Sequence, residues 1–304
     1  MRLGGLDQWV MIRGETTANP LLVFLHGGPG LPEMRLFRHF NAPHEKSFTL
    51  VHWDQRGTNK SFDRDIPAAS MTVEQFMADL DELVDAVRRR FGKDKVAIYG
   101  HSWGSALGIL YAARFPAKVA AYAGAGQIGN YPASELSTYA FLLDEAARRD
   151  NSKALKELRA LGEPPYSAEA KLTLGKWQGL FLGFMRGVPL WRVFRIVLSG
   201  PEASLLDARN IWRGMQFSQR AMWAEVSGLN LTTAVPALSM PVFFFLGRHD
   251  HIVDARTSAA YFETLTAPLK KLVWFEDSAH EPAFEEPEKF NRAMVELVRP
   301  AALR

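Results

Sequence analysis

The 304-residue chain contains no cysteine. That single absence excludes disulfide frameworks, thiol nucleophiles and cysteine-ligated metals. Charge of either sign is nearly balanced: 36 Lys and Arg against 33 Asp and Glu leave +3, with a sequence pI near 9.1. So small a surplus, spread along the chain, makes no electrostatic case for a nucleic-acid partner. The longest like-charge run, Arg88-Arg89-Arg90, ends an amphipathic segment, where cations meet a helix dipole favourably. Long apolar runs are missing as well. Leu180 to Leu198 comes nearest, but Arg186, Pro189, Arg192 and Arg195 interrupt it, and it is too broken for a bilayer span. Met1 to Val10 is short, polar and glycine-containing, unlike a secretory leader. The expectation is a cytoplasmic protein without stable membrane insertion.

What remains is an ordinary globular composition, 47% hydrophobic and 23% charged, long enough to bury a core without covalent staples. Short apolar runs bounded by Gly, Pro or charge read as buried strands: Leu21 to Leu25, Phe48 to Trp53, Val96 to Tyr99, Val119 to Ala125, Val242 to Leu246 and Lys271 to Phe275. Leu6 to Arg13 reads as an antiparallel hairpin arm feeding the same sheet. Helical patterns alternate with these strands. Over Val73 to Phe91, residues Phe76, Leu80, Leu83, Val84 and Val87 share one face, with Thr72 placed to cap and Gly92 to stop the helix. Such alternation predicts a mostly parallel sheet wrapped by helices.

The middle of the chain differs. From about residue 129 to 236 no strand pattern occurs, only helical segments: Ala133 to Arg149, Ser152 to Leu161, Ala168 to Met185, Leu190 to Leu198 and Ala203 to Val226. Gly162-Glu163-Pro164-Pro165 and Gly200-Pro201 break the run. The organisation is therefore a first core segment (1–128), a helical cap (129–236) and a second core segment (237–304). The cap is rich in Trp177, Phe181, Phe184, Met185, Trp191, Phe194, Trp212, Phe217, Met222 and Trp223, some of which should line an apolar pocket.

Gly100-His101-Ser102-Trp103-Gly104 follows the strand ending at Tyr99 and precedes a small-residue helix start. This is the G-x-S-x-G nucleophile elbow in the strand–turn–helix setting it requires. A serine hydroxyl attacks only once a base takes its proton, and the order expected here is serine, acid, histidine. Asp250, after the strand Val242 to Leu246, is the preferred acid, with Asp254 and Asp277 as alternatives. His280, in the loop after the last strand, is the base; His249 and His251 instead flank the acid. Developing negative charge on an acyl oxygen needs preorganised N–H donors. His26-Gly27-Gly28-Pro29-Gly30 offers one, from Gly28 or the neighbouring Gly27, and Trp103 offers the other. A phosphate-binding loop is the rival, but both the G-x-G-x-x-G spacing and a G-K-[ST] ending are missing.

His26 to Gly30, Trp53-Asp54-Gln55-Arg56-Gly57, Gly100 to Ser105, Asp250 and His280 together resemble the proline iminopeptidase (prolyl aminopeptidase) family of α/β-hydrolases. The resemblance covers both core segments. It implies the α/β-hydrolase fold, with a mostly parallel sheet flanked by helices and an inserted all-helical cap. It also implies hydrolysis through an acyl-enzyme, with no metal and no organic cofactor, and a structural role for Asp54 and Arg56 as a charged pair. Two departures stand out. Thr58-Asn59-Lys60-Ser61 replaces a glycine-containing stretch, which predicts a reshaped loop. The cap reads Trp212-Arg213 and Met222-Trp223-Ala224-Glu225, without the Trp-Glu pair that family aminopeptidases use to hold a substrate amine. Glu225, Trp212, Trp223 and Phe181 are the candidate substrate-binding residues. The expected substrate is a small ester or acyl compound, with release of N-terminal proline from short peptides as the alternative. Acyl transfer and C–C cleavage use the same triad, whereas epoxide hydrolases and dehalogenases place an aspartate where Ser102 stands.

Overall fold

The computed structural model describes residues 1–183, 185–199 and 204–304. Two short strands, β1 (Arg2–Leu3) and β2 (Leu6–Asp7), form a separate antiparallel hairpin. Seven more make one sheet: β3 (Val10–Arg13), β4 (Leu21–Leu25), β5 (Thr49–Trp53), β6 (Val96–His101), β7 (Val119–Ala125), β8 (Val242–Gly247) and β9 (Lys270–Phe275). Their order is β3-β5-β4-β6-β7-β8-β9, with β3 antiparallel to β5 and every other neighbour parallel. The expected arm over Leu6 to Arg13 is thus divided, its first half in the hairpin and its second on the sheet edge.

Every residue of β4 through β8 is buried, which is why these strands are continuous apolar runs rather than alternating ones. Helices α1 (Met34–Asn41), α2 (Val73–Phe91) and α3 (Trp103–Arg114) lie in the first core segment. The Thr72 side chain accepts from the Gln75 N–H and Gly92 closes α2 in the left-handed conformation. Its buried face is the predicted one, joined by Met77 and Asp79.

Between β7 and β8 the chain is helical: α4 (Tyr131–Arg148), α5 (Ser152–Leu161), α6 (Ala168–Leu182), α7 (Leu190–Ser199), α8 (Leu205–Ser227) and the short α9 (Leu231–Ala234). This insertion is the cap. Tyr131 N–H donates to Leu229 O and Leu231 N–H to Gly129 O, so the cap's two ends are stitched together. Helix α4 begins two residues before the expected Ala133, because Asn130 caps it and Pro132 is tolerated in a first turn. Helix α6 stops at Leu182, short of the expected Met185, which bridges to Val188 instead. Phe184, the Gly200-Pro201 break and Ala203 lie outside the described residues. After β8 come α10 (Ala255–Thr264) and, following β9, α11 (Pro282–Glu285) and α12 (Pro287–Ala293).

Candidate active site

Four loops carry the site, at the carboxyl ends of β4, β6, β8 and β9. At the end of β6, Ser102 adopts φ 51° and ψ −119°, a left-handed conformation rare for a residue with a side chain. The surrounding structure enforces it. Ser102 N–H donates to Ala125 O at 2.9 Å, and the Ser105 hydroxyl donates to Ser102 O at 2.6 Å. A Cβ on Gly104 would lie 2.1 Å from Leu25 O, and one on Gly100 would lie 2.3 Å from Gly104 O. The elbow closes this tightly only with glycine at both flanks.

After β8, the Asp250 carboxylate is buried and fully engaged. Its Oδ1 accepts the N–H groups of Ile252 and Val253, and its Oδ2 lies 2.8 Å from His280 Nδ1. Neither alternative acid is the partner of His280. Asp254 caps α10, bound to Arg256 and the Ser137 hydroxyl, while Asp277 is solvent-exposed. The loop carrying His280 is pinned from α11 and just beyond: Glu285 accepts the Ala279 N–H, and Glu286 accepts the Asp277 N–H and the Ser278 hydroxyl.

Beneath the elbow lies a group that sequence reasoning passed over. His101 sits between two buried carboxylates, with Nδ1 at 2.9 Å from Glu33 and Nε2 at 2.9 Å from His280 O and 3.4 Å from Glu281. Burial opposes an imidazolium here, but Glu281 and Glu33 outweigh it and raise the His101 pKa to about 10. Burial pushes the Glu281 carboxyl well above its ordinary range, against the pull of His101. These three side chains are spaced closely enough to surround a cation, with candidate ligand atoms within 4.8 Å of one another. An imidazolium that donates from both nitrogens has no lone pair for a metal, so the arrangement suits a proton-bound network. Its place in the site is to fix the backbone carbonyl of His280 and the glycine loop.

Glu33 also decides between the two loop donors. The Gly27 N–H is given to Glu33 Oε1 at 3.1 Å, which removes Gly27 from the oxyanion candidates. Gly28, at φ 112°, lines the cavity above Ser102, as does Trp103, the first residue of α3, whose N–H has no intrahelical acceptor. Gln55 ties the loops together: its N–H donates to His26 Nε2, its side-chain amide to His26 O, and its Oε1 accepts the Trp103 indole N–H.

Asp54 and Arg56 are structural but do not pair with each other. Arg56 makes two bonds to the buried Asp79 and one to Gly4 O. Asp54 accepts from Asn59 Nδ2 and Lys60 N–H, and burial raises its pKa to about 6. Asn59 holds φ 44°, so asparagine supplies the left-handed turn that a glycine would, and the positive-φ turn is kept.

Above Ser102 the cap encloses a cavity of about 490 Å³. Trp212 and Trp223 line it together with Met215, Leu172, Ile128 and Val253. Two expected contacts are elsewhere. Glu225 points away, its carboxylate accepting the Val73 N–H at the start of α2, because α8 crosses that helix end and an anion is favoured there. Phe181 packs on Trp177 within the cap's own core, with Arg149 over its ring. Sequence reading missed Gln178, which lines the cavity with a buried Nε2 that has no partner, and Lys171.

Residues 20–287 match the alpha/beta hydrolase fold family. A probable aminopeptidase, YbaC of Bacillus subtilis, is 34% identical over 95% of this chain and 92% of its own. A solved proline iminopeptidase from Mycobacterium smegmatis superposes with a TM-score of 0.68 at 20% identity, covering 99% of this chain and 97% of that one. An esterase, RhEst1 from Rhodococcus, gives 0.65 at 18%, covering 99% and 96%. The last two likenesses speak for the fold alone. With its parallel sheet, serine elbow and helical cap, the chain belongs to the α/β-hydrolase family, as a serine-hydrolase-type enzyme homologous to the proline iminopeptidases.

Proposed function

We propose that this enzyme hydrolyses small carboxylic esters or related uncharged acyl compounds through an acyl-enzyme on Ser102. His280 takes the serine proton as Ser102 Oγ attacks the acyl carbon, then returns it to the leaving oxygen. Asp250 holds the imidazole in the tautomer with its proton on Nδ1 and stabilises the imidazolium that forms. The N–H groups of Gly28 and Trp103 receive the oxyanion, a contribution typically worth a factor of 10² to 10³ per donor, or about 3–4 kcal/mol. Water then repeats the sequence on the acyl-enzyme and releases the acid.

The observation that carries the substrate class is the cavity lining. Among the described residues it includes Lys171 and Arg220 but no Asp or Glu. A substrate ammonium would enter without a carboxylate partner and against two cations, at a desolvation cost of several kcal/mol. An acyl chain or ring instead gains about 0.8 kcal/mol per buried CH₂. Release of N-terminal proline is the second reading, favoured by the 34% identity to a probable aminopeptidase. The two are separated by kcat/KM for a short-chain p-nitrophenyl ester over that for proline p-nitroanilide, each corrected for intrinsic reactivity. We expect the ester to win. A corrected ratio favouring the anilide would establish the aminopeptidase instead.

A further inference from the structure

Glu135, on α4, is 3% exposed. Its carboxylate, set back from the cavity, and the rings of Tyr131 and Trp223, on the cavity wall, form a small cage. A buried carboxylate flanked by aromatic faces is a binding site for an ammonium group. Trp223 is held in place for this role, because its indole N–H donates to Tyr166 O and its ring meets Tyr131 edge to face at 5.9 Å. The cage already has a tenant. Lys171, on α6, places Nζ 2.9 Å from Glu135 Oε1, 4.8 Å from the Trp223 ring centre and 5.7 Å from that of Tyr131. Burial disfavours this ammonium, but Tyr131 and Glu135 outweigh it and raise the lysine's pKa. Lys171, Tyr131 and Trp223 all line the cavity that contains Ser102, whereas Glu135 lies behind Lys171 and does not.

We infer that Lys171 fills an ammonium-binding position of the cap with the chain's own side chain, and is thereby a specificity-determining residue that closes the cavity to substrates bearing a free amine. This deepens the serine-hydrolase reading and rests on it. A second ammonium entering the cavity meets a like charge where it would need a carboxylate, and Glu135 is out of reach. An uncharged acyl group meets the apolar wall, the amides of Gln178, Gln216 and Gln219, and the side chains of Lys171 and Arg220, whose aliphatic stems it can pack against without a charge penalty. Removing the lysine head should expose the cage and turn rejection into recognition.

The test uses two boronic acids of nearly the same shape, both able to bond to a nucleophilic serine: cyclopentylboronic acid and pyrrolidine-2-boronic acid, which differ by a ring CH₂ and NH₂⁺. Inhibition constants are measured by competition against p-nitrophenyl ester hydrolysis, and the ratio of the two is taken within each variant so that general losses cancel. In the wild type the cyclopentyl compound should bind at least tenfold more tightly. In Lys171→Met the ratio should move at least tenfold towards the pyrrolidine compound. In Lys171→Met/Glu135→Gln that gain should vanish, and in Lys171→Arg, which keeps a cation in the cage, it should not arise. A wild-type enzyme that prefers the pyrrolidine compound overturns the inference without any variant. So does a folded Lys171→Met protein, judged by its thermal midpoint, that keeps the wild-type ratio. If neither compound inhibits the wild type, the serine-hydrolase reading falls and takes this inference with it.

Discussion

In the sheet, strands β4 to β8 are buried on both faces, and the loops at their ends are locked by contacts with no slack: a helix pressed against Leu25 O, His101 held between Glu33 and Glu281, a guanidinium clamped on Asp79. In the cap, helices α4 to α6 share a modest cluster of Tyr139, Leu142, Leu158, Tyr166, Leu174 and Trp177. Eight of the twelve large hydrophobic side chains exposed among the described residues lie there, including Leu190, Trp191, Phe194 and Leu198 on α7. The two regions divide the work accordingly. The core holds the Ser102 elbow and the Asp250–His280 pair through buried, fully bonded loops, the kind of positioning that catalysis exploits. The cap supplies much of the cavity wall, and on the proposed function it is the region where selectivity should reside.

If that division holds, the largest effects should come from the core loops. Ser102→Ala should lower kcat by about 10⁶ while leaving the thermal midpoint near that of the wild type, since triad members act as a unit. Retention of a tenth of the turnover would break the assignment. Asp250→Asn should cost roughly 10⁴ in kcat, because the wrong imidazole tautomer is then favoured, whereas Asp254→Asn should cost far less. Steady-state kinetics on one ester decides between them.

Stability should show the same asymmetry. Arg56 is 2% exposed, and Arg56→Ala would leave Asp79 buried without its cation, a loss of about 3–5 kcal/mol in urea titrations. On α7, Phe194 is 56% exposed, and Phe194→Ser should fall within about 0.5 kcal/mol. Equal losses at the two positions would refute the contrast.

A pH dependence should accompany these losses. Burial raises the Asp54 pKa from 3.8 to about 6, so between those values the folded state binds more protons than the unfolded one. Asp54 therefore favours folding most at low pH, and its contribution is lost as pH rises through about 6. Asp54→Asn should remove that part of the slope, read as the wild-type minus variant difference in urea midpoint at pH 4 and pH 7.5. A difference that does not change with pH contradicts the assignment.

The same contrast governs what the sequence discloses. Strands hidden on both faces must be apolar throughout, so β4, β5, β6, β7 and β8 are legible to within two residues at either end. The ends of α2 are legible because Thr72 and Gly92 act through their own local backbone. The elbow at Ser102 and the pairing of Asp250 with His280 are legible because the strand–turn–helix setting and the order of the loops constrain them. Partners brought together only by folding are not. Nothing near Arg56 in the sequence points to Asp79, nothing near His101 points to Glu33 or Glu281, and Gly27 equals Gly28 until Glu33 takes its N–H. Glu225 lies in the cap segment by sequence, yet the crossing of α8 over α2 turns it outward to Val73. The cap's helical periodicity shows that helices exist there but not which faces meet the cavity, because most of its apolar residues serve packing and surface alike.

Whether Ser102 is the nucleophile in a cavity open to acyl substrates is decided by treating the wild type with a fluorophosphonate and mapping the adduct by peptide mass spectrometry. One phosphonyl group per chain is expected, on the peptide bearing Ser102, with hydrolysis of p-nitrophenyl ester lost in proportion to labelling and no adduct on Ser102→Ala. An adduct on another residue, or full labelling that leaves hydrolysis intact, would contradict it.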